Sequence, residues 1–506
     1  MYNPLVLLTQ LRRVEIFIAI LAIGVRLIPG PRTIDDAYIT FRYAQNLLQG
    51  EGLVYNPGEH VLGITTPAYA LVLAAVALVS GGSRAEFPLL ALLINAVFDG
   101  VTCWLLPKLG ERLGYRSAGI ASALVWAIAP WSVTFAIGGL ETSLLVALAT
   151  ATFYLHLSHR PVAAAATGAF ALLTRPDALL FVGPLAIARG VQLIRAKTRP
   201  SARELLAFGL PLAIWLVGSL AYYRSPIPHS MFAKAAAYRL PAEAGLVRLL
   251  QHYATPFLGH ETLGPGWLRI GILLYPTLYL LGALAALRIN REGWPLLAYP
   301  WLYLAAFALA NPLLFRWYLT PPLPAYFLGI FIGAARISRD VKSRIPLFLF
   351  AALALGSTAN AWTLSPDHGP ARPAPKMAFI KLELLYQEAS ERLQSQLSEQ
   401  DVLASADIGA LGYYSGARIL DLLGLISPEA TRYYPAPESM YVVNFAVPPA
   451  VVTDLKPDVV VILEVYGRKG LLLDPAFQSS YDLTDQLPTD IYGSEGMLIF
   501  FRAESG

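Results

Sequence analysis

The feature that most constrains this chain is a series of long apolar segments, separated by short polar loops, that continues from residue 14 to residue 362. Such segments are typical of helices that cross a lipid bilayer, where every backbone amide must be hydrogen bonded within the protein. Only 14% of the 506 residues are charged, whereas soluble proteins carry about 25%. The pattern predicts a polytopic membrane protein, and it excludes a soluble enzyme, a disordered chain and a nucleic-acid-binding protein.

The apolar segments predict a mainly α membrane helical bundle of about eleven spans. Several segments are shorter than the roughly 20 residues that a straight span needs, which is typical of broken or tilted helices sheltered by their neighbours. The first segment lacks the small-residue cleavage site of a signal peptide, so we expect it to remain as a span. The segments lie at 14–30, 88–107, 117–135, 143–157, 162–174, 178–190, 205–222, 269–287, 295–310, 319–335 and 345–362.

The basic residues predict the orientation of the bundle. If the N-terminus is cytoplasmic, short loops that are rich in arginine and lysine, such as 108–116, 195–203 and 336–344, all face the cytoplasm, as the positive-inside rule requires. A further apolar segment, 66–80, would reverse every later loop if it crossed the membrane. We therefore expect 66–80 to be interfacial or re-entrant, and the residues after the last span to lie outside the cytoplasm.

The chain changes character after residue 362. Residues 363–375 are rich in proline and glycine, which predicts a linker. Residues 376–400 have the pattern of an amphipathic helix, and short buried strands are predicted at 402–407, 419–422, 459–465 and 497–501. We therefore expect a membrane domain over 1–362 and an extracytoplasmic α/β domain over 376–506, which is long enough to form its own core.

The outer ends of several predicted spans share a set of ionisable residues. Ionisable groups at this depth are costly unless they pair with one another or line a wet cavity. Their common depth predicts one cavity that opens away from the cytoplasm. The set consists of Asp35, Asp36, Glu141, Arg175, Asp177, His229, Lys234 and Arg316, with Tyr318 beside the last of them.

Asp35 and Asp36 stand side by side before a predicted amphipathic helix over 37–48. One interpretation is that a carboxylate of the pair is the N-cap of this helix. The other is a general base that takes the proton of an attacking hydroxyl. Neighbouring residues on a helix point about 100° apart, so we expect only one of the two to face the reacting atoms while the other caps or orients.

Three cations of the set are candidates for binding a phosphate. Arginine offers bidentate hydrogen bonds to phosphate oxygens and lysine offers a point charge, which suits Arg175, Lys234 and Arg316. Each of them can instead be a snorkelling residue of the membrane interface, and Arg175 can simply pair with Asp177. Glu141 then pairs with one of the cations, His229 has a structural role, and Tyr318 belongs to the aromatic belt.

Residues 35–59 resemble the first outer loop of the membrane glycosyltransferases of the GT-C fold. The shared features are the run DDAYITFRYAQNLL and the later Asn-Pro-Gly-Glu turn. The branch that this sequence is most similar to is the mycobacterial terminal arabinofuranosyltransferase-like family. Further motifs agree with that family in the same order, at 139–142, 174–177, 228–234, 316–318, 407–416 and 419–425.

The resemblance implies an enzyme that transfers a sugar from a polyprenyl phosphate to an extracytoplasmic cell-envelope glycan or lipid, in the inner membrane of a bacterium. The first-loop acid of this fold is catalytic, a role that falls on Asp35, with Asp36 as second candidate. The donor phosphate is expected to meet the three cations named above, and Glu141, Asp177, His229 and Tyr318 are expected to support the pocket. The leaving group is a monophosphate, so no metal is obligatory, although the acidic pair leaves room for a divalent cation.

Other functions remain open at this point. A polytopic transporter or lipid flippase would account for the spans and the buried charges, but transporters are typically built from internal repeats with sites near the midplane, and the sequence shows no such repeat. A non-enzymatic assembly protein would use its outer domain to bind envelope partners. An oligosaccharyltransferase or protein mannosyltransferase would share the fold. In the outer domain, Tyr413 and Tyr414 either stack on an acceptor sugar or belong to a structural lid.

Overall fold

The computed structural model of the chain describes residues 4–364 and 369–503, with side chains from residue 13 onward. Helices dominate the part before residue 362. They are α1 Pro4–Leu27, α2 Asp35–Gln49, α3 Pro67–Ala77, α4 Phe87–Arg112, α5 Arg116–Ile128, α6 Pro130–Ile137, α7 Thr142–Leu157, α8 Pro161–Thr174, α9 Leu179–Ala196, α10 Ala202–Tyr223, α11 His229–Ala237, α12 Ala244–Ala254, α13 Gly259–Leu263, α14 Trp267–Ile289, α15 Trp294–Ala310, α16 Leu323–Asp340 and α17 Ile345–Asn360.

Each of the eleven predicted spans falls on one of these helices or on the pair α5 and α6. Six helical segments in the described part of the chain are long and apolar enough to cross a membrane, and the bent pair would be a seventh. Four apolar helices are shorter, namely α3, α7, α8 and α17. Helix α3, in the segment expected to be interfacial, has 11 residues, about 16 Å of helix, which is too short for a bilayer core of about 30 Å. The protein is a multi-pass membrane protein.

A buried ion pair stabilises the break between α5 and α6. Ala129 is extended because Pro130 follows it, and the helix bends by 47°. The break leaves carbonyl groups of α5 without helical partners, and the guanidinium of Arg26 donates to the carbonyl of Ala127 at 2.6 Å. Arg26 also binds the Asp99 carboxylate at 2.8 Å, with both side chains fully buried. Ionisable groups inside a membrane protein are costly, and pairing with an opposite charge lowers that cost.

Close packing divides the chain into two compact units. Unit 1 comprises the described residues up to 32 together with 91–214 and 242–379, and unit 2 comprises 33–90, 215–241 and 380 onward. Unit 1 therefore holds most of the apolar helices. Unit 2 includes more than the predicted outer domain over 376–506, because the first loop with α2 and α3 and the segment containing α11 pack with it.

A five-stranded mixed sheet lies at the centre of the C-terminal part of unit 2, in the order β4-β3-β5-β7-β6. Strands β4, β3 and β5 are parallel, and β7 and β6 add antiparallel pairs. The elements after residue 362 are β1 Trp362–Thr363, β2 Ala374–Pro375, α18 Lys381–Leu393, β3 Val402–Ser405, α19 Gly409–Ser415, β4 Arg418–Asp421, α20 Pro449–Leu455, β5 Val459–Leu463, α21 Glu464–Gly467, α22 Pro475–Ser480, β6 Tyr481–Leu487 and β7 Met497–Arg502.

The predicted α/β class and the four predicted strands agree with this sheet, and the structure adds two features. Strand β6 is an edge strand whose central residues are mostly exposed, so its polar sequence lacks the apolar pattern of a buried strand. The predicted linker 363–375 is partly ordered, because β1 pairs with β2 in an antiparallel ladder. Residues 365–368 of that linker lie outside the described residues.

Candidate active site

The two neighbouring aspartates of α2 face different surroundings in unit 2. The N-cap of α2 is Ile34, and neither carboxylate caps this helix. The Asp35 carboxylate instead accepts hydrogen bonds from the amides of Gly409 and Ala410, at 3.0 and 2.7 Å. These amides begin α19, so Asp35 supplies the cap that α19 lacks in its own sequence. Both oxygens of this buried carboxylate are occupied by the contact.

Asp36 is the more accessible member of the pair. Its Oδ2 lies 3.2 Å from the Lys234 ammonium of α11, and the two side chains are 29% and 25% exposed. An angle of about 100° separates neighbouring side chains on a helix, so the burial of Asp35 turns Asp36 toward solvent. A partly exposed carboxylate beside a cation combines a proton acceptor with a positive charge suited to an anionic leaving group.

A third carboxylate, Asp407, lies close enough to influence Asp35 electrostatically. It follows β3 at the carboxyl end of a parallel strand, and the Tyr386 hydroxyl of α18 donates to its Oδ2 at 3.0 Å. Burial, followed by the repulsion of Asp407, raises the pKa of Asp35 well above its usual value. Burial is also the main cause that raises the pKa of Asp407 to about 6. A fourth acid, Glu383, accepts the Asp35 backbone amide at 3.1 Å.

The sequence motif at 407–416 contained Asp407, yet sequence reasoning assigned it no role. The sequence nevertheless contains a signal that points to Asp407. Both neighbouring strands are predicted, Asp407 follows one of them and Asp421 ends the other, and ligands bind at the carboxyl ends of parallel strands. Asp421 is a structural residue. Its carboxylate is fully buried and accepts backbone amides of the following turn, including Leu423 at 2.9 Å and Ile426 at 3.2 Å.

His229 and the two outer tyrosines lie in other surroundings within unit 2. His229 begins α11, where its backbone amide donates to the carbonyl of Leu62 at 2.7 Å, and it lines a small cavity of about 140 Å³. The rings of Tyr413 and Tyr414 pack on Tyr38 of α2, with centroids 5.1 and 5.4 Å away. The tyrosines thus take part in the packing of α19 on α2.

Unit 1 contains a second cluster of predicted site residues, centred on Arg175. Its guanidinium is buried and donates to Glu141 at 3.1 Å and to both oxygens of Asp177, at 2.9 and 2.8 Å. The ring of Tyr318 lies 4.7 Å below the guanidinium carbon, and the Tyr303 hydroxyl donates to Asp177 at 3.1 Å. The formal charge of Arg175 with its two carboxylates is negative, which matches the structural alternative for Arg175 better than phosphate binding.

Arg316 begins a short 3₁₀ helix, Arg316–Leu319, in unit 1. Its guanidinium donates to the carbonyl of Met377 at 2.7 Å and stacks over the ring of Phe379 at 4.2 Å. Both contacts lie just before α18. The structure therefore describes the predicted residues in two sets: Asp35, Asp36, His229 and Lys234 in unit 2, and Glu141, Arg175, Asp177, Arg316 and Tyr318 in unit 1.

The chain has the GT-C fold of polytopic membrane glycosyltransferases, which confirms the fold class expected from the sequence. The structure of ArnT from Cupriavidus metallidurans bound to undecaprenyl phosphate matches with a TM-score of 0.55 at 13% identity, covering 98% of this chain and 99% of that chain. The archaeal oligosaccharyltransferase AglB from Archaeoglobus fulgidus, in complex with an inhibitory peptide and a dolichol-phosphate, matches with a TM-score of 0.53 at 12% identity. The match covers 97% of this chain and 74% of that chain.

The resemblance to the arabinofuranosyltransferase-like proteins is also confirmed. The terminal β-(1→2)-arabinofuranosyltransferase of Mycobacterium tuberculosis is 32% identical to this chain over 224 residues, which are 40% of this chain and 35% of that protein. The match thus spans about a third of the length of this curated relative. Residues 378–500 match a family described as a domain of unknown function, DUF8728.

Proposed function

We propose that this protein is a glycosyltransferase that moves a sugar from a polyprenyl-phosphate donor to an extracytoplasmic cell-envelope glycan or lipid. Support comes from the fold shared with ArnT and AglB and from the identity with an arabinofuranosyltransferase. The observation that carries the proposal is the partly exposed ion pair of Asp36 and Lys234, in which Asp36 lies beside buried Asp35 in the loop that resembles the catalytic loop of the fold.

In the proposed reaction Asp36 is the general base. Its carboxylate takes the proton from an acceptor hydroxyl, the hydroxyl oxygen forms a bond to the anomeric carbon, and the bond from that carbon to the phosphate oxygen breaks. The polyprenyl phosphate leaves with the electron pair of the broken bond. The ammonium of Lys234 stabilises the growing negative charge on the phosphate. A single displacement of this kind inverts the anomeric centre and uses no metal.

Asp35 has a positioning role in this proposal. Because its carboxylate caps α19, it holds the first turn of α2 and therefore the direction in which Asp36 points. A displacement of about 1 Å at a catalytic group is enough to cost roughly 10²-fold in rate. Phosphate binding by Arg175 and Arg316 stays a prediction, and so do a cytoplasmic N-terminus, an extracytoplasmic C-terminal domain over 376–506 and residence in a bacterial inner membrane.

The direct test is a transfer assay with purified protein, a panel of polyprenyl-phosphate sugars and an envelope-glycan acceptor. Replacing Asp36 by asparagine is expected to lower kcat by about 10²–10⁴-fold, the usual contribution of a general base. Lys234→Met is expected to lower kcat by about 10²–10³-fold, by analogy with the loss of one oxyanion donor. A chelator such as EDTA should leave the rate unchanged.

Two controls show whether a loss of transfer is specific to the Asp36 carboxylate. Glu388→Gln removes an exposed carboxylate that pairs with Arg392 on α18 and should transfer at the wild-type rate. Anomeric analysis of the product should show inversion. Transfer by Asp36→Asn at a rate near that of wild type, or a retained configuration, would disprove the assigned role of Asp36, and failure with every donor of the panel would remove the support for a polyprenyl-phosphate transferase.

A further inference from the structure

Unit 1 contains a large apolar cavity that belongs to neither cluster described above. It has a volume of about 430 Å³ and is bounded by the end of α7, by α8, by α9 and by the first half of α10. Small residues such as Ala164, Ala165 and Gly168 line its α8 side, so α8 leaves a hollow where larger side chains would fill the space. Helix α10 contributes Glu204, Leu205 and Phe208 to the lining, while most of its apolar surface is exposed.

Polar groups at the wall of this cavity show that it is more than a gap between helices. Arg189 of α9 makes a bidentate ion pair with Glu204 of α10, at 2.8 and 2.9 Å, and so attaches α10 at one edge. His156 of α7 is only 8% exposed and lines the cavity. Its Nε2 is buried and has no hydrogen-bond partner among the described residues. A buried polar atom without a partner costs about 1–3 kcal/mol, which favours a ligand that reaches it.

A polar cavity of about 470 Å³ adjoins the apolar one, and His159 lines both. Lys108 and Arg112 at the end of α4 line the polar cavity together with Glu111. The Arg112 side chain is exposed, its guanidinium lies 5.8 Å from the Tyr154 ring, and it forms no ion pair within the described part of the chain. Arg160, which lines the apolar cavity, is likewise exposed and without an ion pair among the residues described.

We propose that the two cavities together bind one anionic phospholipid, with an acyl chain in the apolar cavity and the phosphate against Arg112 and Arg160. An apolar cavity of about 150 Å³ already binds benzene, so a volume of about 430 Å³ has room for one acyl chain. Arginine suits phosphate oxygens. The hydroxyl-bearing headgroup of phosphatidylglycerol would also supply a donor for His156 Nε2. The basic loops at this end of the bundle are those that the charge pattern predicts to be cytoplasmic.

The test is native mass spectrometry of the purified full chain in detergent with phosphatidylglycerol, phosphatidylethanolamine and undecaprenyl phosphate as separate probes. Ala165→Phe places a ring in the apolar cavity, and Ala166→Phe places the same ring on the exposed face of α8, outside the lining. We expect Ala165→Phe to weaken phosphatidylglycerol binding at least tenfold and Ala166→Phe to leave it unchanged. Arg112→Gln should remove the preference for phosphatidylglycerol over phosphatidylethanolamine, and Arg288→Gln, an exposed cation on α14, should not.

Any one of three other outcomes would overturn the proposal. Equal binding by the two phenylalanine variants would mean that the retained lipid is annular only. Equal binding of the zwitterionic and anionic phospholipids by wild type would remove the role of the arginines. Preferential binding of undecaprenyl phosphate, abolished by Ala165→Phe, would identify a different occupant. Arg112→Gln leaves the apolar packing intact, so it tests the headgroup site even if Ala165→Phe does not fold.

Discussion

Replacing Asp35 by asparagine tests whether Asp35 stabilises α19 while Asp36 acts as the general base. In the native protein each carboxylate oxygen of Asp35 accepts one backbone amide at the start of α19. Asparagine retains one oxygen and turns an NH₂ group toward the other amide. One charge-assisted hydrogen bond is lost, and its donor stays buried. We therefore expect α19 to open more easily in Asp35→Asn, while the Asp36 carboxylate can still act as a general base.

The geometry sets the size of this effect. A hydrogen bond to a charged group contributes about 1.5–3 kcal/mol, and the removal of a buried charge offsets part of the loss. A net change of about 2 kcal/mol corresponds to a roughly 30-fold larger opening equilibrium. The ion pair of Asp36 is about a quarter exposed, and such pairs contribute only about 0.2–1 kcal/mol. Asp36→Asn should therefore change the opening of α19 by less than about fivefold.

Hydrogen–deuterium exchange of the peptide that contains Gly409 and Ala410 measures this opening directly in detergent-solubilised protein. Wild type, Asp35→Asn and Asp36→Asn are compared at one pH, and transfer activity is measured on the same samples. The expected pattern is faster exchange with partial activity for Asp35→Asn, and native exchange without activity for Asp36→Asn. If Asp35→Asn exchanges at the wild-type rate, the carboxylate does not stabilise α19 and the reasoning fails.

Three further predictions concern stability. Arg175→Leu leaves buried Glu141 and largely buried Asp177 without their cation and should lower the free energy of unfolding by about 3–5 kcal/mol; a native melting temperature with a raised donor KM would instead favour phosphate binding. Gly409→Ala adds a Cβ that collides with the Asp35 backbone and should lower the melting temperature, whereas Gly356→Ala, which has open space, should not. Burial raises the pKa of Asp407 to about 6, so the folded state binds more protons than the unfolded state from about pH 4 to 6, and stability falls as the pH rises. Asp407→Asn should flatten this slope, and an unchanged slope between pH 4 and 7 would contradict the assignment.

Much of the fold could be predicted because it depends on local patterns. A span is recognised by the length and polarity of one segment, and all eleven predicted segments fall on helices. The buried strands β3, β4, β5 and β7 have apolar runs of the right length. The edge strand β6 is not predicted from the sequence, because its central residues are mostly exposed and form no apolar run. The ladder of β1 and β2 is not predicted either, because each strand has only two residues.

The candidate site was predictable as a set of residues but not as an arrangement. Asp35 and Asp36 have the same side chain and adjacent positions, so no local pattern separates a cap from a base. The partners that separate them are 374 or more residues away for Asp35 and 198 residues away for Asp36. The charge pattern left Arg175 with three interpretations, namely phosphate binding, snorkelling and pairing with Asp177, and the contacts with Glu141 and Asp177 favour pairing.

The sequence by itself determined that this chain is a membrane protein of the GT-C type with an α/β domain after its last span, because hydropathy, charge and short motifs are properties of contiguous residues. Only the tertiary structure decided which acid is buried, which remains accessible and which cations are already paired. The physical reason is that burial and ion pairing depend on neighbours brought together from distant parts of the chain, and the free energy of a carboxylate changes far more with those neighbours than with its own place in the sequence.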